Sequence, residues 1–194
     1  FNLATQKFTT LLQGNISSIY YNNGLFIGKM NEIYRYNEET RNFDLFYQLS
    51  GGNLEIICMH IDKGYLWMGT TTDGVYRLDL EKKQLTHPIK KGNITSIYRD
   101  NEGELWIGSW EKGVFLVKAD GRIENFKNDA KNPHSLSSNF VRSCCEDNLG
   151  NIWIGTFNGL NRYNKSTGLF QNHTASDTQS DGLTHSSIWC IVKD

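Results

Sequence analysis

One nine-residue phrase occurs twice almost unchanged in this chain and twice more in altered forms. Residues 100–108 read DNEGELWIG, and residues 147–155 read DNLGNIWIG. Residues 62–69 (DKGYLWMG) are one residue shorter, and residues 22–28 (NNGLFIG) have Phe in place of Trp. The copies end at Gly28, Gly69, Gly108 and Gly155, so they repeat at steps of 41, 39 and 47 residues. A β-type unit with a period in this range is typical of propeller blades.

Each copy belongs to a unit of four predicted strands. A short apolar strand comes first, the repeated phrase forms the second strand, and a third and a more polar fourth strand follow. The second strand is apolar on both faces, as expected for a strand covered by neighbouring sheets. Its tryptophans, Trp67, Trp106 and Trp153, are therefore predicted to pack between blades. The predicted first strands are Ile16–Tyr21, Ile56–Ile61, Ile94–Arg99, Val141–Glu146 and Ile188–Lys193.

We therefore predict an all-β fold, a β-propeller fragment with four complete four-stranded blades and partial blades at both ends. Residues 1–8 align with residues 163–170, the back half of a unit. Because an array of repeats exposes apolar sheet at an open end, we expect the chain to self-associate, to pair its two end pieces, or to pack against the rest of a parent propeller. The predicted division is a blade remnant at 1–13, blades at about 14–50, 51–90, 91–130 and 131–180, and the first strand of a further blade at 186–194.

Composition excludes some classes of function. The 194 residues have a net charge of −1 and no cluster of Lys and Arg, which argues against a nucleic-acid surface. No apolar run approaches the length of a membrane span. The four cysteines, Cys58, Cys144, Cys145 and Cys190, lack the spacing of a metal or redox site, and we expect buried free thiols. Cys58 and Cys190 take the place that Ser18, Ser96 and Ser143 take in other units.

The aspartate that opens the phrase could suggest a metal site or acid–base chemistry. It recurs from unit to unit, as Asp62, Asp100 and Asp147, and each time a glycine follows within three residues. An Asp side chain can accept hydrogen bonds from backbone amides in its own turn, and glycine supplies the positive φ that such turns need. We therefore interpret it as a turn residue. We predict no catalytic residue, no metal and no cofactor.

The fourth unit resembles a known repeat most clearly. Residues 132–143 (NPHSLSSNFVRS), 146–156 (EDNLGNIWIGT) and 159–164 (GLNRYN) closely resemble the two-component regulator propeller repeat. Residues 181–188 (DGLTHSSI) resemble the linker of the same family, and the resemblance covers essentially the whole chain. The first unit departs from the pattern at Asn22 and Phe26.

The resemblance implies the sensor region of a hybrid two-component system. Such a propeller lies in the periplasm, as the extracytoplasmic part of an inner-membrane protein, and is connected to the membrane only through the parent protein. The family typically senses glycan fragments and relays the signal to a histidine kinase. This segment would then supply recognition or scaffold and not catalysis, with an oligosaccharide as its expected partner.

The loops between second and third strands emerge on the face opposite the Asp-Gly hairpins. Trp110 and Phe157 follow the Ile-Gly end of their strands and have polar neighbours. An aromatic face beside Glu, Lys and Asn suits sugar stacking with hydroxyl recognition, although both rings could instead pack under the long inter-blade loops. The candidate ligand-binding residues are Asp73, Trp110, Glu111, Lys112, Phe157 and Asn158.

Two other functions compete with this interpretation. Residues 62–67 have the D-x-G-x-x-W spacing of the sialidase Asp-box, but the phrases at 100–108 and 147–155 have D-x-x-G. A glycosidase needs two carboxylates across a pocket, and Asp73 and Glu111 could be offered, yet no cluster of arginines accompanies them. The other alternative is a structural or interaction scaffold that contacts a protein partner or its own twin.

Overall fold

The computed structural model describes residues 10, 12–22, 24–51, 54–175 and 183–193. The strands in this part of the chain form four antiparallel sheets, and each sheet takes four consecutive strands in sequence order. The prediction of four successive four-stranded units is confirmed. Over the same ranges, no helix has the length and apolarity needed to cross a membrane.

The 16 strands follow one another with short connections. They are β1 (Ser18–Tyr21), β2 (Leu25–Lys29), β3 (Glu32–Asn37), β4 (Asn42–Gln48), β5 (Ile56–Asp62), β6 (Tyr65–Thr70), β7 (Gly74–Asp79), β8 (Leu85–Lys90), β9 (Asn93–Arg99), β10 (Leu105–Trp110), β11 (Val114–Val117), β12 (Ile123–Phe126), β13 (Val141–Glu146), β14 (Ile152–Thr156), β15 (Gly159–Asn164) and β16 (Leu169–His173). The first strands of successive sheets contact one another, β1 with β5, β5 with β9 and β9 with β13, so the sheets converge at these strands.

The structure describes one of the two predicted partial blades and not the other. Residues 1–9 and 11, on which the predicted remnant at 1–13 depends, lie outside the described residues. Residues 188–193, predicted as a first strand, form no strand. Each first strand above is paired with the Trp-containing or Phe-containing strand that follows it, and residues 188–193 have no such strand beside them among the described residues. The division into blades at about 14–50, 51–90, 91–130 and 131–180 stays a prediction.

The glycine that ends each phrase lies where two sheets approach most closely. Gly69 pairs with Cys58 in its own sheet. A Cβ at Gly69 would lie 2.5 Å from Cys58 Sγ and 2.5 Å from Ile94 Cγ2 of the next sheet. At Gly108 the corresponding distances are 2.6 Å to Ser96 Oγ and 2.8 Å to Val141 Cγ1. The sequence repeats glycine here because any larger residue would push the sheets apart.

Three apolar clusters fill the spaces between successive sheets. Trp106 is fully buried between the third and fourth sheets, and its ring centroid lies 5.1 Å from that of Tyr163. Trp67 is buried with Ile94 and Ile107 between the second and third sheets. Trp153 takes the same place in the fourth sheet and is only half-buried, because no described sheet follows it. The prediction that these rings pack between blades is confirmed for Trp67 and Trp106.

The cysteines follow the prediction in three of four cases. All four are free, and the thiols of Cys58, Cys144 and Cys145 are enclosed by the sheets. Burial raises the pKa of Cys58 and of Cys144 to about 12. The expectation of a buried thiol is wrong for Cys190, which is exposed. It belongs to the segment that follows the fourth sheet, where no second strand covers it among the described residues.

Candidate functional site

An extra residue interrupts the first strand of three sheets at the same place. The pairing between first and second strands shifts at Ile57, Thr95 and Arg142, so each of these residues forms a β-bulge. Trp189 follows Ile188 just as these residues follow Ile56, Ile94 and Val141. Because the sheets converge at their first strands, the bulges place side chains from successive repeats next to each other.

These side chains line one depression, which we call the bulge depression. It has a volume of about 510 Å³ and opens on the face opposite the Asp-Gly hairpins. Its walls come from successive repeats and from the segment after the fourth sheet, whereas two other depressions lie on β4 and on β16 at the outer edges of single sheets. The lining residues are Ile57, Asn93, Thr95, Trp110, Arg142 and Trp189.

Arg142 provides the charge of the bulge depression. Its Cζ atom lies 4.2 Å from the ring centroid of Trp110 and 4.0 Å from that of Trp189, so two indole rings contact one guanidinium. The Nε atom is buried and has no hydrogen-bond partner. Thr95 Oγ1 donates a hydrogen bond of 2.8 Å to the carbonyl of Val141, which fixes the backbone just before Arg142.

Trp110 is the predicted site residue that the bulge depression contains. It is half-buried, and its ring lies 5.0 Å from Phe140 and 6.5 Å from Phe157, with both phenyl rings edge-on. Phe157 is 54% exposed and keeps most of its ring free. Trp110 therefore packs against the inter-blade residue Phe140 and also reaches the surface, and ligand binding by Trp110 and Phe157 stays a prediction.

The other predicted residues lie on the loops of the same face. Glu111, Lys112 and Asn158 are exposed, and Glu111 has a φ of 85°. Asp73 accepts a hydrogen bond from the Tyr76 hydroxyl, so its carboxylate is already engaged within its own sheet. None of these four lines the bulge depression. Their binding of a ligand stays a prediction.

Sequence reasoning missed five of the six lining residues, namely Ile57, Asn93, Thr95, Arg142 and Trp189. A signal for the bulges was nevertheless present. Residues on one face of a regular strand are two apart, whereas the repeated apolar residues of the first strands are three apart, as at Ile56 and Met59 or Val141 and Cys144. That spacing requires one extra residue between them.

The opposite face contains the predicted aspartate turns. Asp147 Oδ1 accepts hydrogen bonds of 2.9 Å from the amides of Leu149 and Asn151, which confirms its role in the turn. Its Oδ2 atom also accepts a 2.8 Å bond from the Trp153 indole. Burial acts to raise the pKa of Asp147, but these hydrogen bonds outweigh it and lower the pKa to about 2.

Asp100 accepts the corresponding bonds from the Glu104 amide and the Trp106 indole, and it also belongs to an ion cluster. The Lys165 ammonium lies 3.0 Å from Asp100 Oδ2, 3.0 Å from Glu146 Oε1 and 3.3 Å from Glu102 Oε1. Glu146 Oε2 accepts a 2.7 Å bond from the Asn101 amide. Burial disfavours the charged ammonium, yet its hydrogen bonds to Asp100 and Glu146 raise the pKa of Lys165. The cluster joins the turn of the third sheet to the fourth sheet.

This cluster has a structural arrangement and not that of a metal centre. Over the described ranges, no three His, Cys, Asp or Glu side chains are placed to hold a metal ion. The buried side chains of Asp100 and Glu146 point their oxygens at Lys165, and the Asp100 carboxylate also accepts bonds from the Trp106 indole and the Glu104 amide. The candidate ligand site is therefore the bulge depression on the other face.

A known repeat profile matches two segments of this chain. The sequence profile described as two component regulator propeller matches residues 88–111 and 135–158, which contain the second strands of the third and fourth sheets. A comparison with curated proteins found no match. The two matched segments include Trp110 and Phe157 but not Arg142's neighbour Trp189.

Three solved structures from B. thetaiotaomicron share the fold. The extracellular domain of hybrid two component system BT3049 has a TM-score of 0.64 at 21% identity, over 88% of this chain and 25% of that one. The extracellular domain of hybrid two component system BT4673 has a TM-score of 0.63 at 18% identity, over 89% and 30%. An auxiliary nutrient binding protein has a TM-score of 0.57 at 16% identity, over 82% and 41%. This chain thus spans less than half of each of these structures.

Proposed function

Because this chain carries two-component regulator propeller repeats, we propose that it is part of the ligand-sensing propeller of an extracytoplasmic sensor. The expected ligands are glycan fragments, and the parent protein would relay their binding to a histidine kinase. Two of the similar structures are extracellular domains of hybrid two component systems, and a third is a nutrient binding protein. These similarities support an extracytoplasmic location, in the periplasm, and a role in binding.

The observation that carries the proposal is the bulge depression. Aromatic rings and polar groups meet there, which is the combination that binds small molecules in protein pockets. The exposed ring of Trp189 and the half-buried ring of Trp110 offer apolar surface for a sugar ring, and Asn93 and Thr95 offer hydrogen-bonding groups for hydroxyls. Walls from successive repeats also mean that one ligand would contact several sheets at once.

The proposed role is recognition without catalysis. A glycosidase mechanism needs two carboxyl groups facing each other across the substrate, about 5–10 Å apart. The six residues that line the bulge depression include no carboxylate, and Asp73 is engaged with Tyr76. A sugar bound there would meet aliphatic, aromatic, amide, hydroxyl and guanidinium groups.

Calorimetric titration of the full chain with a panel of oligosaccharides tests the proposal. We expect saturable binding and no release of reducing ends. Trp110→Ala should weaken binding at least about 10-fold, because a buried aromatic contact is worth about 1.5–3 kcal/mol. The matched control is Tyr21→Ala, which removes a 78% exposed ring from the first sheet and should leave binding unchanged.

The outcomes separate the candidate functions. Release of reducing ends would show a glycosidase, and the absence of binding across the whole panel would favour the scaffold. If Trp110→Ala lowers the unfolding midpoint but leaves the dissociation constant unchanged, the ring belongs to the core and the ligand site lies elsewhere.

A further inference from the structure

Arg142 is the one charged residue among the six that line the bulge depression. In the described part of the chain, no carboxylate oxygen lies within 4.0 Å of its side-chain nitrogens. Two other arginines have carboxylate partners, since Arg99 pairs with Asp62 and Arg122 pairs with Asp120, whereas Arg162 donates to the amide oxygen of Asn151. A half-buried guanidinium without an anion leaves strong hydrogen-bond donors unused.

The neighbours of Arg142 restrict what can complete these bonds. Two indole rings lie close to its Cζ atom. Trp110 of β10 is 4.2 Å away, and Trp189 of the segment after the fourth sheet is 4.0 Å away. Aromatic rings attract the cation but accept no conventional hydrogen bonds from its edge. The Nη groups, unlike the buried Nε, therefore remain available to a planar oxygen pair, and a carboxylate can bind both Nη atoms of a guanidinium in a bidentate way.

The bulge makes this arrangement specific to the fourth sheet. The equivalent residues in the second and third sheets are Ile57 and Thr95, which have no charge. A single cation thus stands among apolar and neutral polar groups, with the 67% exposed ring of Trp189 beside it. A ligand that suits these walls has one acidic group next to a ring with an apolar face.

We propose that the bulge depression binds an acidic sugar, with the carboxylate of a uronic acid unit on Arg142 and its ring against Trp189. The inference rests on the proposed sensing function, and it narrows the ligand from glycans in general to those with carboxylates. Arg142 then selects the ligand by charge, while Trp110 holds the guanidinium from the other side.

Two ligands that differ only in the charge of their carboxyl groups test the role of Arg142. The full chain is titrated with the trisaccharide of galacturonic acid and with its methyl ester, which has the same rings without charge, and tryptophan fluorescence reports binding. We expect the acid to bind at least about 10-fold more tightly than the ester. Arg142→Gln should weaken the binding of the acid by about 10- to 100-fold and leave the binding of the ester unchanged. Added salt should weaken the binding of the acid and leave the binding of the ester unchanged.

Arg122→Gln is the control variant, because it removes the same charge from an exposed residue in the β11–β12 hairpin. Equal effects of the two substitutions, or equal affinities for acid and ester, would overturn the inference while leaving the sensing proposal intact. Citrate serves as a carboxylate without a sugar ring. Citrate binding through Arg142 with both trisaccharides silent, or silence of all three probes, would overturn the acidic sugar, and the oligosaccharide panel described above would then decide the glycan function separately.

Discussion

Replacing Lys165 by methionine tests the ion cluster between the third and fourth sheets. The substitution keeps the length of the side chain but removes the charge that three carboxylates contact at 3.0–3.3 Å. Asp100 and Glu146 are 2% exposed each and would be left without their cation. Removing one partner of a buried ion pair costs about 3–5 kcal/mol, which corresponds to a fall of about 1–2 M in the urea midpoint.

The pH dependence identifies the cause of this loss. Burial acts to raise the pKa of Asp100, but the Trp106, Glu104 and Lys165 bonds hold it below its usual value. In the native protein Asp100 therefore stabilises the fold above its unfolded pKa, and this contribution is lost as the pH falls through the folded pKa. Lys165 has a raised pKa, so its contribution is present at neutral pH and lost only in strong alkali. In Lys165→Met, burial disfavours the charged form of Asp100 without the opposing Lys165 contact, so the destabilisation should shrink between pH 7 and pH 5.

Urea unfolding followed by tryptophan fluorescence at both pH values measures the effect. Lys131→Met is the matched control, because it makes the same change at an exposed residue of the inter-sheet loop and should shift the midpoint by little. A loss below about 1 kcal/mol at pH 7, or a loss of equal size at pH 5, would refute the argument that Lys165 neutralises buried carboxylates.

Three more predictions follow from the turns, the glycines and the thiols. Asp147→Asn should destabilise the chain by about 1–2 kcal/mol at pH 7. Because the folded pKa of Asp147 is about 2, the native chain should lose this advantage as the pH falls from 4 towards 2, and unchanged acid unfolding curves would contradict it. Gly108→Ala should cost about 1–3 kcal/mol by overpacking, and Ser96→Ala added to it should restore part of that loss in thermal unfolding, because Ser96 Oγ is the nearest atom to the new methyl group. A thiol reagent should label Cys190 in the native chain and label Cys58, Cys144 and Cys145 only on unfolding, and labelling of all four at one rate would contradict the burial described above.

The sequence was sufficient for the sheets because each unit repeats the same local chemistry. The Asp turn, the Trp strand and the closing glycine recur with little change, and the structure uses each in the expected way at Asp147, Trp106 and Gly108. Averaging over repeats makes weak strand signals reliable. The exposed Cys190 and residues 188–193, which form no strand, depart from the pattern because, among the described residues, no second strand covers them as one does in the four sheets.

The candidate site was harder to predict, because it depends on residues that do not repeat. Trp110 was found from its place after the Ile-Gly end of β10. Arg142 and Trp189 lie in different units, and only the convergence of the first strands brings both within reach of Trp110. The extra residue in the first strands of the second, third and fourth sheets also interrupts the alternation of side chains, since it turns one residue out of the ladder.

Because of the bulges, different residues determine the packing of the sheets and the lining of the candidate site. Directly beside each bulge, the seam between sheets accepts only serine or cysteine opposite glycine. At the bulge itself, this chain already has isoleucine, threonine and arginine in three otherwise equivalent sheets. A propeller built in this way can exchange an apolar wall for a hydroxyl or a cation without disturbing its architecture, so specificity can diverge one residue at a time around an unchanged frame.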